Sequence, residues 1–375
     1  MKAYVFTDKA LKRHAGQFVW LSLDVEKPQN APYKKRYGVD ALPMYFVVDP
    51  NTEKVALRWV GGATVTQLQK ILADGRVAVR GGGRGEQRLA RADRYYSEGD
   101  YAKAAADYRE ALRVAPRNWS PFARATESLL YALYQTKDYG GCAKTAREAY
   151  PRLARTSSAA NVAASGLSCA LELPAGDASR PELVKALADA SREVLASART
   201  NLAADDISAV YETLASEREA EKDEPGKKAV LQERARFLEA AAARAKTPDA
   251  RAVFDSHRLG TYLDLGEPER AIPMLQASER DLPDDYNPPA RLALAYRAMK
   301  KYDEALAASD RALTRAYGPR KLGILQTRAD IYREKGDPAS ARRTIEQAVE
   351  LAESLPDGQR SERTIAALKK KLESL

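Results

Sequence analysis

The strongest constraint on the fold is an alanine that recurs in register near the end of the chain. Ala271, Ala305 and Ala341 are 34 and then 36 residues apart, and each follows a similar order of small, aromatic and turn residues. A period of this length is typical of stacked helical hairpins, in which a small residue lies where two helices cross. The recurrence therefore predicts an array of antiparallel helix pairs.

The same pattern is found much earlier in the chain, at residues 85–118. There Ala92 and Tyr95 precede the turn Gly99-Asp100-Tyr101, and Ala104 follows on the predicted second helix. These residues resemble the tetratricopeptide repeat, a 34-residue helix–turn–helix unit. The resemblance implies a mainly α fold, in which helical hairpins form an α-solenoid, or superhelix, over residues 86–357.

The resemblance divides the array into clear units, a degenerate stretch and a cap. Clear units are predicted at about 85–118, 252–285, 286–319 and 322–357. Residues 119–246 read as hairpins that lack most of the signature residues, with Pro225-Gly226 as a predicted turn. The charged segment 358–375 suits a helix that caps the open end of such an array.

A pattern of strands and helices precedes the array in residues 1–78. The β-rich apolar runs at 18–24, 44–49 and 55–60 are predicted strands. Helices are predicted between the first two runs and after the third. A glycine-rich linker, residues 79–85, follows this region.

The residues around Pro43 resemble a known domain. The run Tyr37-Gly38-Val39-Asp40-Ala41-Leu42-Pro43, then a strand, a turn, a strand, a glycine and a helix, resembles the second half of a thioredoxin fold. The resemblance implies a small, incomplete α/β domain over residues 1–78. It also implies a cis peptide bond before Pro43 and a peptide-binding groove at Leu42 and Pro43, where the backbone of Leu42 pairs with the bound peptide.

The thioredoxin-like region departs from its family where the chemistry would take place. It contains no cysteine, and the first strand and the C-x-x-C motif of the family are missing. Thiol–disulfide exchange requires a reactive thiolate, so the region as written is expected to be inactive in redox chemistry. Two interpretations remain open: the domain has lost its function, or the chain is truncated or mis-started and the motif lies upstream of Met1. The second is favoured.

The remaining reactive side chains give no catalytic pattern. Cys142 and Cys169 have neither C-x-x-C nor zinc spacing and are predicted to be buried packing residues. His14 and His257 are far apart in sequence, which argues against a histidine metal site or catalytic triad. We therefore expect no catalytic residue, no metal and no cofactor.

Charge and hydropathy exclude two further classes of partner. The net charge is +9, but residues 1–85 hold 14 basic and 7 acidic side chains, and the remaining 290 residues hold 47 and 45. No basic stripe is interleaved with aromatics, so no nucleic-acid partner is expected. No membrane span or signal peptide is predicted, which indicates a cytoplasmic protein as written. A start upstream would leave a periplasmic or secreted location open.

An array of this kind predicts a protein-interaction scaffold that binds a protein or peptide partner. Its concave surface is lined mainly by the first helix of each hairpin. From the register, the inward candidates are Tyr96, Asn287, Arg297, Gln326 and Arg333. They do not match the lysines and asparagines with which some tetratricopeptide proteins clamp a terminal carboxylate. The alternative function is a thiol–disulfide oxidoreductase in cell redox homeostasis, with its cysteines upstream.

Overall fold

The computed structural model describes residues 5–39, 41–197 and 202–375. Over these ranges the chain forms 18 α-helices and one two-stranded antiparallel sheet. The described residues divide into two compact units. Unit 1 comprises those of Met1–Phe18 and Tyr37–Arg234, and unit 2 comprises Val19–Arg36 and Ala235–Leu375.

The elements follow the chain in a simple order. Strand β1 spans Met44–Val48 and strand β2 spans Val55–Val60. The helices are α1 (Ala31–Arg36), α2 (Val65–Val79), α3 (Arg84–Ser97), α4 (Tyr101–Val114), α5 (Phe122–Gln135), α6 (Tyr139–Leu153), α7 (Ala159–Leu171), α8 (Arg180–Ala196), α9 (Ala204–Ala220), α10 (Glu224–Ala243), α11 (Pro248–Ala252), α12 (Asp255–Asp264), α13 (Ala271–Asp281), α14 (Asn287–Ala298), α15 (Tyr302–Arg315), α16 (Arg320–Lys335), α17 (Pro338–Ser354) and α18 (Glu362–Glu373).

Within unit 1, residues 44–79 form a strand–turn–strand–helix segment, as the sequence predicted. β1 pairs with β2 in antiparallel register, from Met44 opposite Val60 to Val48 opposite Val55. Helix α2 starts at a capping box, in which the Thr64 hydroxyl accepts from the Gln67 amide and the Gln67 side chain accepts from the Thr64 amide. The peptide bond before Pro43 is cis, as the resemblance implied.

The strand predicted at residues 18–24 is absent from the structure. These residues have no regular secondary structure, and Val19 and Leu21 are 90% and 77% exposed. The described sheet contains only β1 and β2. A strand is stabilised by hydrogen bonds to a neighbour, so an apolar β-prone run without one does not form a strand. From Val19 onward the segment belongs to unit 2.

Aspartates begin the second helix of several hairpins. Asp100, Asp138 and Asp337 each accept a hydrogen bond from the backbone amide three residues later, at 3.1, 2.9 and 2.9 Å. Each therefore satisfies an amide that has no partner inside its helix. This local signal explains why the chain turns at these positions and starts a new helix.

The predicted turn at Pro225-Gly226 is wrong by a few residues. Lys222, with a φ of 60°, lies in the turn, and Pro225 and Gly226 are in the first turn of α10. The Asp223 carboxylate accepts from the Gly226 amide at 2.9 Å. Proline is tolerated there because the first amides of a helix have no intrahelical partner to lose.

The two cysteines are buried, as predicted, but they also form a disulfide, which was not predicted. The bond joins Cys142 of α6 to Cys169 of α7 across a sequence separation of 27 residues. It therefore cross-links the second helix of one hairpin to the first helix of the next. No cysteine of the chain is free.

Unit 2 contains the regular repeats. Helices α12 and α13, α14 and α15, and α16 and α17 form its successive hairpins, and α18 packs on α17. Ala271, Ala305 and Ala341, the alanines that recur in the sequence, are fully buried. The crossing positions predicted from their spacing are thus confirmed, because only a small side chain lets two helices approach closely at these points.

Candidate polypeptide-binding site

The first repeats of unit 1 hold a buried charged network. Asp93 of α3 is fully buried and accepts hydrogen bonds from the Tyr108 hydroxyl at 2.7 Å and the Arg124 guanidinium at 2.7 Å. It also accepts from the backbone amide of Arg58 at 3.2 Å, and Arg124 donates to the carbonyl of Arg58 at 3.2 Å. Burial and the Asp93 carboxylate raise the pKa of Tyr108 well above its ordinary value, so the phenol remains a donor.

Strand β2 therefore occupies this side of the first repeats. The guanidinium of Arg58 lies over the ring of Tyr96, 3.6 Å from its centroid, in a cation–π contact. Tyr96, a predicted inward residue, is buried by this contact with the chain itself. Both backbone groups of Arg58 are held by charged side chains of α3 and α5. The site predicted at Tyr96 is thus filled by a segment of the same unit.

A second polar cluster in unit 1 is acidic. The Glu127 carboxylate of α5 is buried and accepts from the Asn161 amide at 2.6 Å. Burial, partly offset by hydrogen bonds to Ser158 and Asn161, raises the pKa of Glu127 to about 7. Burial and the charge of Glu127 raise the pKa of Asp206 on α9 to about 8. Lys70 of α2 is a cation that lowers the pKa of Glu127.

In unit 2, polar residues from helices α14, α16 and α18 meet around Asp330. Arg297 of α14 donates to Glu334 of α16 at 3.0 and 2.6 Å and to Asp330 at 3.4 Å. Arg333 lies 3.6 Å from Asp330, and Lys371 of α18 lies 2.8 Å from it. The structure thus places Arg297 and Arg333, two residues predicted to line the concave surface, beside the same carboxylate. We call Arg297, Asp330, Arg333, Glu334 and Lys371 the A-helix cluster.

The A-helix cluster carries a net positive charge, and its charged side chains differ in exposure. Its three cations face two carboxylates, which leaves one formal positive charge. The hydrogen bonds that Arg297 donates to Glu334 raise the pKa of Arg297, which keeps that side chain charged. The Arg333 side chain is 54% exposed, whereas Asp330 is 19% exposed. Asp330 therefore orients the cations, and Arg333 offers donors to solvent or to a ligand.

Two other predicted residues of unit 2 are occupied locally. The Asn287 side chain donates to Asp285 at 2.7 Å and helps to form the turn before α14. The Gln326 amide donates at 3.4 Å to the Leu322 carbonyl of its own helix. Neither contact joins them to the A-helix cluster.

The predicted thioredoxin-like groove is partly defined. Leu42 is 62% exposed, and the carbonyl of Pro43 accepts from the Gly61 amide at 2.9 Å, which extends the pairing of β1 and β2. Asp40, which belongs to the motif that carries the resemblance, lies outside the described residues. A peptide-binding role of Leu42 and Pro43 remains a prediction.

Sequence reasoning missed Asp330, Glu334 and Lys371. Asp330 lies 33 residues after Arg297, close to one repeat, so the register could have placed it beside Arg297. Lys371 lies on the helix that was interpreted only as a cap. Opposite charges spaced one repeat apart are the sequence signal that would have indicated the pair of Arg297 and Asp330.

Other kinds of site are not found in the described ranges. Among residues 5–39, 41–197 and 202–375, no group of three or more His, Cys, Asp or Glu side chains could hold a metal ion. Within the same ranges, no helix is long and apolar enough to cross a bilayer.

Comparisons with known families identify the hairpins. A family described as Tetratricopeptide repeat matches residues 286–354, and a second family of that description matches residues 89–118. The mainly helical chain thus contains tetratricopeptide repeats in both units. The comparison with curated proteins finds no match.

Several solved structures are similar over most of the chain. A tetratricopeptide repeat protein from Parabacteroides merdae is 12% identical, covers 78% of this chain and 100% of its own, and has a TM-score of 0.47. The TPR2AB domain of yeast Sti1, solved as a pHSP90 complex, is 16% identical, with coverage of 77% and 98% and a TM-score of 0.29. Residues 1–338 of Acl4, an assembly chaperone of RpL4, are 15% identical, with coverage of 78% and 98% and a TM-score of 0.37. At these TM-scores the similarities do not bear on what this chain binds.

Proposed function

We propose that the protein is an interaction scaffold whose tetratricopeptide repeats bind a polypeptide partner at the A-helix cluster of unit 2. The observation that supports this proposal is the meeting of side chains from α14, α16 and α18 around Asp330. Stacked repeats present their first helices as one continuous surface, which accepts an extended segment or a helix. The cluster is partly exposed, whereas the corresponding position at Tyr96 in unit 1 is filled by β2.

The charge of the cluster indicates the chemistry of its ligand. Asp330 and Glu334 neutralise part of the three cations, so the surface keeps donors that are oriented but not fully used. Arg333 is the most exposed of them. A guanidinium whose position is fixed by a carboxylate binds a polar or acidic side chain with little loss of conformational freedom. We therefore expect polypeptides with acidic or polar groups to be preferred.

The test is a paired charge reversal. Arg297→Glu with Arg333→Glu should abolish capture of the peptides that the parent selects from a random displayed library. Arg342→Glu with Arg343→Glu, on the second helix α17, changes charge equally and should leave capture intact. Circular dichroism and thermal unfolding should show that both variants are folded. Equal capture by the two variants would contradict the proposed site.

The neutral variant Arg333→Gln separates charge from packing. Its side chain is more than half exposed, so its removal should weaken capture without affecting stability by more than about 0.5 kcal/mol. If capture were lost only in variants that unfold unit 2, the loss would report on folding, and the scaffold would have to bind elsewhere.

The alternative, a thiol–disulfide oxidoreductase, has weaker support. The order β1, β2 and α2 agrees with the thioredoxin-like resemblance, but both cysteines of the chain are bonded to each other between α6 and α7. The chain as given thus offers no thiol for exchange. The gene sequence upstream of Met1 tests the alternative, since a C-x-x-C motif after an apolar strand would support it. A buried disulfide also favours an oxidising compartment over the cytoplasm.

A further inference from the structure

A segment from the N-terminal part of the sequence is an integral part of unit 2. Residues 24–35, which we call the strap, contain a short 3-10 helix at Pro28–Asn30 and all of helix α1 except its last residue. They pack against the turns that connect one hairpin to the next: the α15–α16 turn and the α17–α18 turn. We call these two turns, residues 316–320 and 355–361, the turn edge. It is distinct from the A-helix cluster.

The first turn recognises two carboxylates of the strap. Tyr317 and Arg320 both donate to Asp24, with Arg320 at 3.3 Å from each carboxylate oxygen, and Arg320 also pairs with Glu26. Burial opposes ionisation of Asp24, but the Tyr317 hydroxyl, the Glu26 amide and Arg320 outweigh it, so the pKa of Asp24 is lowered. This turn therefore selects a pair of acids separated by one residue.

The second turn recognises the backbone between and after those acids. The Gln359 side chain is 4% exposed and donates to the carbonyl of Val25 at 2.9 Å and to the carbonyl of Lys27 at 3.0 Å. Two carbonyls two residues apart are reached by one amide only when the chain is held in one local conformation. Gln359 thus recognises the backbone conformation of a polypeptide and not its side chains.

Two glycines make room for the strap backbone. A Cβ on Gly318 would lie 2.5 Å from the carbonyl oxygen of Glu26, and a Cβ on Gly358 would lie 2.5 Å from that of Ala31. Both glycines have positive φ, 52° and 91°. Each turn therefore has a glycine at the point where the main chain of the strap lies directly against it.

Few apolar side chains of the strap are buried. Val25 and Ala31 are its two buried side chains, and the exposed Lys35–Asp357 pair closes its far end at 2.7 Å. Contacts of this kind are dominated by partly exposed charges, which salt screens. The strap is thus held mainly by a few directed polar contacts, as a bound peptide ligand is, and only slightly by burial of apolar side chains.

We propose that the turn edge is a second recognition surface, for a turn-forming segment of another polypeptide with the pattern acidic–apolar–acidic, and that the strap is its resident occupant. The chemistry of that partner is given by Asp24-Val25-Glu26 itself. A trans segment of this pattern competes with the strap for Tyr317, Arg320 and Gln359. This inference does not depend on the A-helix cluster.

The first experiment opens the edge in the full chain. Asp24→Ala with Glu26→Ala removes both carboxylates, and hydrogen exchange should show faster exchange of the strap amides. A fluorescent peptide with the sequence of residues 19–36 is then titrated by anisotropy. It should bind the opened variant saturably, and the parent at least tenfold more weakly because the strap competes. The same peptide with both acids replaced by alanine should not bind.

The second experiment uses a matched pair of glycines. Gly358→Ala should abolish peptide binding and speed strap exchange, because the new Cβ meets the seated backbone. Gly336→Ala, at the end of α16, has a φ of 88° and nothing within 4 Å of the added Cβ, so it carries the same backbone strain without the clash. This control should keep peptide binding and the slow exchange of the strap amides.

Each contrary result overturns the proposal. If the strap of the opened variant stays protected, the carboxylates do not hold it. If the strap is released but the peptide does not bind, the edge is specific to packing in cis. If Gly358→Ala and Gly336→Ala behave alike, the backbone seat is not the basis of recognition. Peptide capture at the A-helix cluster would be unaffected by all three results.

Discussion

Removal of the Asp93 carboxylate should be among the most damaging single changes in unit 1. The substitution Asp93→Ala leaves the Arg124 guanidinium, 6% exposed, without its 2.7 Å partner. It also removes the acceptor of the Tyr108 hydroxyl and of the Arg58 amide. The perturbation thus strands one buried charge and two buried donors at the junction of β2, α3 and α5.

The expected magnitude follows from that count. Removing one partner of a buried ion pair costs about 3–5 kcal/mol, because the remaining charge cannot be rehydrated. The two neutral donors would add about 1–3 kcal/mol each if they stayed dry, but relaxation and water entry make these terms less than additive. We therefore expect a loss of about 4 kcal/mol in the free energy of unfolding of unit 1.

The measurement is urea unfolding followed by tryptophan fluorescence. Trp59 and Trp119 are buried in unit 1, so the signal reports chiefly on that unit. The control Glu110→Ala removes the exposed pair with Arg113 and should leave the free energy of unfolding nearly unchanged. Hydrogen exchange of α3–α5 amides provides a local reading of the same loss.

The reasoning also predicts a rescue. Asp93→Leu with Arg124→Met replaces both charges by apolar side chains and should restore much of the stability lost in Asp93→Ala. A cost below about 1 kcal/mol for Asp93→Ala would refute the argument. So would a double variant less stable than the single one, since the stranded charge would then not be the cause.

Two further changes test other parts of unit 1. Because burial raises the pKa of Glu127 to about 7 from 4.5, its contribution to stability is complete below pH 4.5 and is lost as the pH rises through 7. Glu127→Gln should therefore gain up to about 3 kcal/mol over the parent at pH 8 and little at pH 4 in urea unfolding, and an equal effect at both would contradict this. Cys142→Ala with Cys169→Ala should cost about 3 kcal/mol and abolish the effect of dithiothreitol on the melting temperature. Two reactive thiols in the denatured, unreduced parent would contradict the disulfide.

Local patterns made the helical part of the fold predictable. The spacing of Ala271, Ala305 and Ala341 depends only on how closely two adjacent helices pack, so it is readable from one sequence. Aspartates such as Asp100 act within three residues of their own position. The tetratricopeptide repeats that these short-range signals predicted are confirmed by the family matches at residues 89–118 and 286–354, whereas the thioredoxin-like domain remains a proposal.

Long-range pairing explains what the sequence could not predict. Residues 18–24 have the composition of a strand, but whether they form one depends on a neighbouring strand far along the chain. Arg58 looks like an ordinary basic residue of an edge strand until Asp93 and Tyr96 are placed beside it. The register identified Arg297 and Arg333, and it left out Asp330 because single helices were considered without the charges one repeat away.

The link between α6 and α7 also sets how the protein responds to a pulling force. Repeat arrays unravel unit by unit from an end, since each hairpin contacts chiefly its neighbours. The Cys142–Cys169 bond closes a segment of 27 residues that cannot lengthen while the bond is intact. A molecule stretched to its full contour is then shorter by roughly 90 Å than its reduced form, at about 3.4 Å per residue. The redox state of this one bond thus decides whether these 27 residues contribute to the length that a pulling force can extend.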